Sequence, residues 1–327
     1  MTAARVAVVG GGISGIACAR ALLGSRVDVT VLDRGHRLGG RMATRTMRGT
    51  GLPYDGRVVD VGAAFLTAQD PGFLEVVEGW SARGLLRPWT DTLEVVDVEG
   101  TRSTTTGPLR YAAPAGLRSL VEDLAADLPV VVGPREVAEV ARDGEGWSVD
   151  GDTVDAVVLA MPGPQALDLL PEAHPARARL EEPWGPVLAL VAAYDDACWP
   201  RFDAMFVNGW PDLAFVADDG RRRGDGAPVL VAHSTGELAA AHLDDPSGAT
   251  PTLVDALTRA VGASAPPRWT EVRRWSLARP LEAALDPFFL DAGLGLCGDA
   301  WGRTPRVETA WLSGDSLGRQ LAAALRA

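Results

Sequence analysis

Residues 8–15 read VVGGGISG, and this stretch limits the fold more than any other because it ends a short apolar run and opens a small-residue one. Arg5–Val9 predicts a strand, and Gly10, Gly12 and Gly15 then fall in G-x-G-x-x-G spacing where a helix should begin. Gly10 permits a tight turn, Gly12 lets backbone approach a pyrophosphate, and Gly15 lets the helix lie close to the strand. Ile13 and Ser14 form the helix amino terminus, whose dipole and free N–H groups favour phosphate. A second strand, Arg26–Leu32, ends at Asp33, the distance at which a carboxylate takes the hydroxyl pair of a plain adenosine ribose. The expectation is a dinucleotide site in a Rossmann-like α/β domain; the alternative is a tight turn followed by a loop acid. The fingerprint alone does not separate NAD from FAD.

The next residues, DRGHRLGGRM, place Arg34, Gly39, Gly40, Arg41 and Met42 just after the acid. Two glycines bring backbone near a phosphate and Arg41 can add a charge-assisted contact, unless this is an exposed turn with a solvated arginine. A matching signature closes the chain. Leu294–Cys297 predicts a strand, Gly298-Asp299 a turn, and Thr304-Pro305 an N-cap and first helical position. Val307, Ala310, Trp311, Gly314, Leu317, Leu321 and Leu325 then recur at helical spacing, which predicts one buried face, with Gly314 and Gly318 permitting close packing. That helix terminus could face the N1–C2=O side of a reduced flavin, and Asp299 could accept from a ribityl or ribose hydroxyl.

Composition removes several function classes. A formal charge of −12 opposes a nucleic-acid surface and an anionic membrane surface. The chain has no lysine, so Schiff-base chemistry is excluded. Cys18, Cys198 and Cys297 are far apart and show no metal spacing, so they read as buried thiols in a reducing compartment. Four scattered histidines and the lack of a G-x-S-x-G elbow oppose a metal site and a hydrolase. No apolar run reaches a membrane span and no leader peptide is evident, which predicts a cytoplasmic protein.

The combination of G-x-G-x-x-G with its acid, GGR, and a late GD before a helix resembles FAD-containing amine-oxidase-like flavoproteins, and more narrowly the renalase family in its bacterial form. The stretches carrying the resemblance are VDVGAAFLTAQD (59–70), VVLAMPGPQALDLL (157–170), RRWSLARP (273–280) and GDAWGRTPRVETAWLSG (298–314). It implies noncovalent FAD held by the residues above together with Gly62, Ala63, Ala64, Phe65, Val137, Gly298, Asp299, Arg306, Val307, Glu308 and Ala310. Ala64 and Phe65 stand where the family usually has Gln and Tyr, DDGRRRG (218–224) replaces an S-K-P-G-R-like loop, and Leu238 replaces the Trp that usually follows His233. These departures bear on substrate more than on cofactor.

The implied architecture is an α/β fold: a Rossmann-like FAD-binding domain of the glutathione-reductase/amine-oxidase type with an inserted mixed-sheet substrate domain. The FAD-binding domain is expected at 1–75, 110–170 and 286–327, and the substrate domain at 76–109 and 171–285. Most of the tryptophans should be core or domain interface; Trp275 and Trp301, with His233, are the pocket candidates, and no essential base is expected. Arg221–Arg223 read as a solvated charged turn. Hydride transfer from a dihydronicotinamide needs no strong base, and the family's reaction oxidises 2- and 6-dihydro isomers of NAD(P)H at flavin N5, reducing dioxygen to hydrogen peroxide. Amine oxidation is the runner-up, opposed by the missing lysine and by only three tyrosines; a non-catalytic flavin-binding protein is the third reading. The expected partners are a small dinucleotide substrate and dioxygen, with no metal, nucleic acid or membrane.

Overall fold

A computed structural model of the chain describes residues 3–132, 136–282 and 284–326. The chain divides by packing into two compact units, 1–42, 118–184 and 279–327 in the first and 43–117 and 185–278 in the second.

The first unit is built on a six-stranded sheet whose order is Phe289–Asp291, Leu294–Leu296, Ala156–Leu159, Ala4–Val9, Val27–Asp33 and Val130–Val132. Its strands are parallel except Phe289–Asp291, which runs antiparallel to its neighbour. Val6, Val8, Ala156 and Val158 are all buried, the near-continuous apolar reading of strands covered on both faces. The first helix, Ile13–Leu22, and the last, Val307–Ala324, pack on one face. Their crossing is set by glycine: a Cβ on Gly314 would lie 1.9 Å from the Ser14 carbonyl oxygen, and one on Gly318 would lie 2.5 Å from that of Cys18. A three-stranded antiparallel sheet between Val140 and Val154 completes the unit.

The second unit carries a seven-stranded mixed sheet, in order Trp269–Pro280, Trp184–Ala193, Val229–Ser234, Leu213–Asp218, Ala204–Val207, Arg87–Val96 and Arg102–Ala112. Alternation along the strands gives it two different faces. Leu188, Leu190, Met205, Val216 and Leu230 pack with Leu253, Ala256, Leu257, Ala260 and Val261 of the helix Thr250–Val261. Gly262, left-handed at φ +68°, ends that helix. On the opposite face Ala189, Val191, Val229 and Val231 pack with Met47, Leu52, Val59 and Val61. A short hairpin, Thr44–Thr46 with Val58–Asp60, supplies Val59, and Val61 follows it directly.

Packing draws the boundaries elsewhere than the expected domains. Residues 43–75 and 110–117 belong with the second unit because Val59 and Val61 pack on its sheet, and 171–184 and 279–285 belong with the first. Of the three thiols, Cys18 and Cys297 are buried while Cys198 is half-buried. Trp199 and Trp210 pack on the second unit's core, as expected for scattered tryptophan, whereas Trp184 packs in the first unit. Among the described residues no helix is long and apolar enough to cross a membrane.

Candidate active site

In the first unit the glycine turn forms as its spacing predicts. Gly10 takes φ +115°, where a Cβ would meet the Ala160 carbonyl oxygen at 2.4 Å, and a Cβ on Gly15 would lie 2.0 Å from Gly10 O. Gly12 is the N-cap of the first helix, no side chain caps that terminus, and a Cβ on Gly12 would meet nothing within 4 Å. Asp33 ties the turn to the second strand: Gly11 N–H donates to Oδ2 and Gly35 N–H to Oδ1, each at 2.6 Å. Gly39 N–H donates to Gly11 O at 2.9 Å, so GGR folds back over the glycine turn. Buried Ser14 Oγ has no hydrogen-bond partner by geometry, the Cys297 thiol being its neighbour.

Arg41 and Asp299 meet across 258 positions of sequence. The guanidinium donates from Nη1 to Oδ2 at 2.8 Å and from Nη2 to Oδ1 at 2.5 Å, and stacks on Trp184 with Cζ 5.0 Å from the ring centroid. This bidentate pair joins the start of the unit to its end, a contact with no local signature. The last helix departs from its expected start: Arg306 is the N-cap, and Thr304-Pro305 lie outside the helix. Thr304 O accepts from the Thr309 hydroxyl at 2.6 Å instead, and that turn displaces the predicted cap. Glu308 and Ala310 are buried, but Val307 and Leu325, expected on the buried face, are only half-buried because they lie at the helix ends. Val137 packs in the core with Ala7 and Val9, Arg34 forms an exposed ion pair with Glu136, and Met42 is buried. Gly298 N–H donates to Ser313 Oγ at 3.1 Å. Trp301 is buried with Arg179 over its ring.

Gly62–Phe65, His233 and Trp275 all lie in the second unit. Trp275 Nε1 donates to Val61 O at 2.6 Å and so fixes the backbone just before Gly62. Beyond it, on the sheet face opposite the helix Thr250–Val261, an aromatic group gathers. Phe65 lies 6.2 Å from Trp89 and 6.1 Å from Phe215, and Phe215 lies 5.7 Å from Phe206 and 5.8 Å from the His233 ring. The apolar surroundings first, and then the Arg222 guanidinium, hold His233 down to about 4, so it is a neutral imidazole at pH 7. Arg110, only 7% exposed, lays its guanidinium over Phe65 at 5.4 Å; it donates to Asp91 O at 2.9 Å, and its Nε has no partner.

Arg221–Arg223 are not the solvated turn expected from sequence. Arg222 and Arg223 are buried, and only Arg221 reaches the surface, paired with Asp203. The carboxylate that draws them in is Asp219, fully buried, which accepts from Arg57, Arg222 and Arg223. Burial opposes its charge, but the three guanidinium groups override that and hold its carboxyl far below the usual range. Arg223 also reaches Asp60 Oδ2 at 3.1 Å, and Arg222 donates to Ala64 O at 2.9 Å. The network thus grips the backbone of the Gly62–Phe65 stretch. Sequence offered a weak clue to it, two acids separated from the three arginines only by Gly220, but the partners Arg57 and Asp60 are remote.

A family described as flavin containing amine oxidoreductase matches residues 84–317, and an NAD(P)-binding Rossmann-like domain matches residues 8–78. The chain belongs to the flavin-containing amine oxidoreductase family. It is an FAD-dependent oxidoreductase with the Rossmann-like, amine-oxidase fold. Solved structures share that fold over nearly the whole chain at low identity. Cyclohexylamine oxidase from Brevibacterium oxydans aligns with TM-score 0.78 and 14% identity over 99% of this chain and 100% of its own. An Exiguobacterium protein assigned as a protoporphyrinogen oxidase aligns with TM-score 0.77, 14% identity, and 99% and 100% coverage. Wild-type putrescine oxidase bound to putrescine gives TM-score 0.71, 16% identity, and 99% coverage of each chain.

The residues of this flavoenzyme fit FAD in three respects. The first helix terminus is uncapped, the space beside Gly12 is open, and the Ser14 hydroxyl is buried without a hydrogen-bond partner. Those groups would hold a pyrophosphate. Burial pushes the Cys297 thiol up to about 12, which keeps it protonated and unsuited to nucleophilic attachment.

Proposed function

We propose that this flavoenzyme oxidises a dihydronicotinamide, the 2- or 6-dihydro isomers of NAD(P)H, rather than an amine. The observation that supports this most is the electrostatics of the aromatic face. Its titratable neighbours are the Arg110 guanidinium, with the Asp91 carboxylate acting on it, the Arg222 guanidinium, paired with Asp219, and a neutral His233, while Asp219 is occupied by three arginines. An alkylammonium ion is the wrong charge for that surface, whereas an uncharged planar ring carried by an anionic dinucleotide is the right one. FAD supplies the two-electron acceptor, with dioxygen taking the electrons onward to hydrogen peroxide.

The protein's tasks are to bind, orient and exclude water. Phe65 and Phe206, backed by the buried Phe215, offer rings against which a dihydronicotinamide can lie, and Trp275, through Val61, and Arg222, through Ala64, fix the backbone on either side of Gly62 and Ala63. His233 and Trp275 are the substrate-side candidates of this unit, and Trp301 that of the other. No base is required, because a hydride leaves with its electron pair. Gly10, Gly12–Gly15, Asp33, Arg34, Gly39–Met42, Gly62–Phe65, Val137, Gly298, Asp299, Arg306–Glu308 and Ala310 are proposed to contact the noncovalent cofactor.

Anaerobic mixing with 6-dihydro-NAD should bleach the oxidised flavin band, and air should restore it with peroxide formed. Benzylamine should leave the band intact. The bleaching rate should be flat from about pH 5 to 9, since His233 protonates only near 4. Bleaching by the amine alone would transfer the assignment to amine oxidation. Separately, Asp33→Ala removes the acceptor shared by Gly11 and Gly35 N–H, and FAD affinity should fall at least about tenfold, the equivalent of one charge-assisted contact. Flavin retention on gel filtration tests it; full retention would remove Asp33 from the cofactor site.

A further inference from the structure

Beside the aromatic face, the second unit has an open cleft of about 350 Å³ whose lining includes Arg87, Trp89, Arg201, Asp203, Arg221 and Gly224. Three guanidinium groups face one carboxylate there. Arg221 is satisfied by Asp203, donating from Nε at 2.8 Å. Arg87 is held by neutral acceptors, the carbonyl oxygens of Arg221 and Arg222 at 3.1 and 2.9 Å, and has no carboxylate partner among the described residues. Arg201 is exposed and has no hydrogen bond or ion pair among them. The nearby Asp225 turns away to Arg57. A cationic cleft is unexpected in a chain of net charge −12.

Trp89 carries a second, independent sign. Its ring belongs both to this cleft and to the aromatic face through Phe65, and its buried Nε1 has no hydrogen-bond partner. An indole ring lining the cleft beside two guanidinium groups without carboxylate partners matches a planar base with a phosphate attached. The volume is at the low end for ligand sites and suits a mononucleotide-sized fragment, not a whole dinucleotide.

We propose that the Arg87–Arg201–Trp89 cleft is a nucleotide phosphate subsite, which takes the phosphate-bearing half of the substrate while the dihydronicotinamide lies against the aromatic face. It rests on the dihydronicotinamide reading for what the ligand is, but not for its existence. Arg201 and Arg87 clamp the phosphate, Trp89 stacks on the base, and Asp203 keeps Arg221 in place at the rim. The subsite makes the enzyme prefer substrates with an anionic tail over the same ring without one.

The test is calorimetric titration of the FAD-saturated enzyme with AMP and with inorganic phosphate, so that AMP cannot report the flavin's own adenylate site. AMP should bind, at least fivefold more tightly than phosphate, and more weakly as ionic strength rises. Arg201→Gln should weaken AMP at least fivefold and Arg201→Glu should abolish it; because Arg201 is exposed and unbonded, neither change threatens the fold. Trp89→Leu should bring AMP down to the affinity of phosphate. Equal binding of AMP and phosphate, or binding indifferent to Arg201, would overturn the subsite. If 6-dihydro-NAD fails to reduce the flavin while AMP binds in an Arg201-dependent way, the reading of the reaction falls and the subsite stands.

Discussion

Asp219→Ala should cost this protein roughly 3–5 kcal/mol, the usual effect of removing one partner from a buried ion network. Arg57, Arg222 and Arg223 all point at that carboxylate, and the side chains of Arg222 and Arg223 are almost wholly out of solvent. Without it, Asp60 and Asp225 are left to compensate three close guanidinium groups. Urea unfolding of the FAD-loaded protein measures the loss, and a change under about 1 kcal/mol would show that water or repacking relieves the site. The acid side gives a second reading with a definite sign. Asp219 holds its charge more tightly folded than unfolded, so its contribution is complete above the ordinary carboxylate range, roughly pH 4, and fades as pH falls below it. Wild type should therefore lose stability in acid more steeply than Asp219→Asn, which has no proton to take up. Because Arg222 also holds Ala64 O, the same substitutions should loosen the aromatic face and raise KM before they change flavin content.

Gly314→Val should have the other large effect, through the first unit. Even a single methyl carbon here would stand 1.9 Å from Ser14 O, against backbone that has no rotamer to yield. The two helices must part, at a cost of about 1–3 kcal/mol for overpacking of the alanine variant and more for valine. Ser14 lies in the first turn of the first helix beside the glycine turn, so the displacement reaches the residues proposed to hold the pyrophosphate. FAD should dissociate at least about tenfold more readily, a change of roughly 1.4 kcal/mol, with Gly318→Ala milder because its clash is at 2.5 Å. Flavin content after dialysis and the thermal midpoint of the holoenzyme read the two effects. Retained flavin with an unchanged midpoint would mean that the helices do not cross this closely.

What could be read from sequence was what the chain encodes locally. Strand, glycine turn, helix and Asp33 lie within 30 residues, each with a steric or hydrogen-bonding reason, and they form as expected. The final helix was visible from its periodicity, but its start was not, since Thr304 and Thr309 bond each other and a good N-cap pattern goes unused. The Arg41–Asp299 pair and the burial of Arg222 and Arg223 depend on partners brought together by the fold, and a run of arginines in a hydrophilic loop gives no sign of being covered. The unit boundaries were displaced for a similar reason. The hairpin around Val59 follows the glycine motif in sequence, yet its apolar side chains complete the other unit's sheet.

The interleaving of the two units bears on how the molecule is made. The chain passes between them four times, and the strand Leu294–Leu296 and helix Val307–Ala324, which complete the first unit, are its last regular elements. A nascent chain leaving the ribosome would hold Ile13–Leu22 with its Ser14 and Cys18 ridge bare until nearly all the rest had emerged. Neither unit can be excised as one contiguous cassette, so recombination that swaps substrate preferences must splice at several points at once. The close seat of Gly314 on Ser14 and of Gly318 on Cys18 thus joins the first helix of the chain to its last.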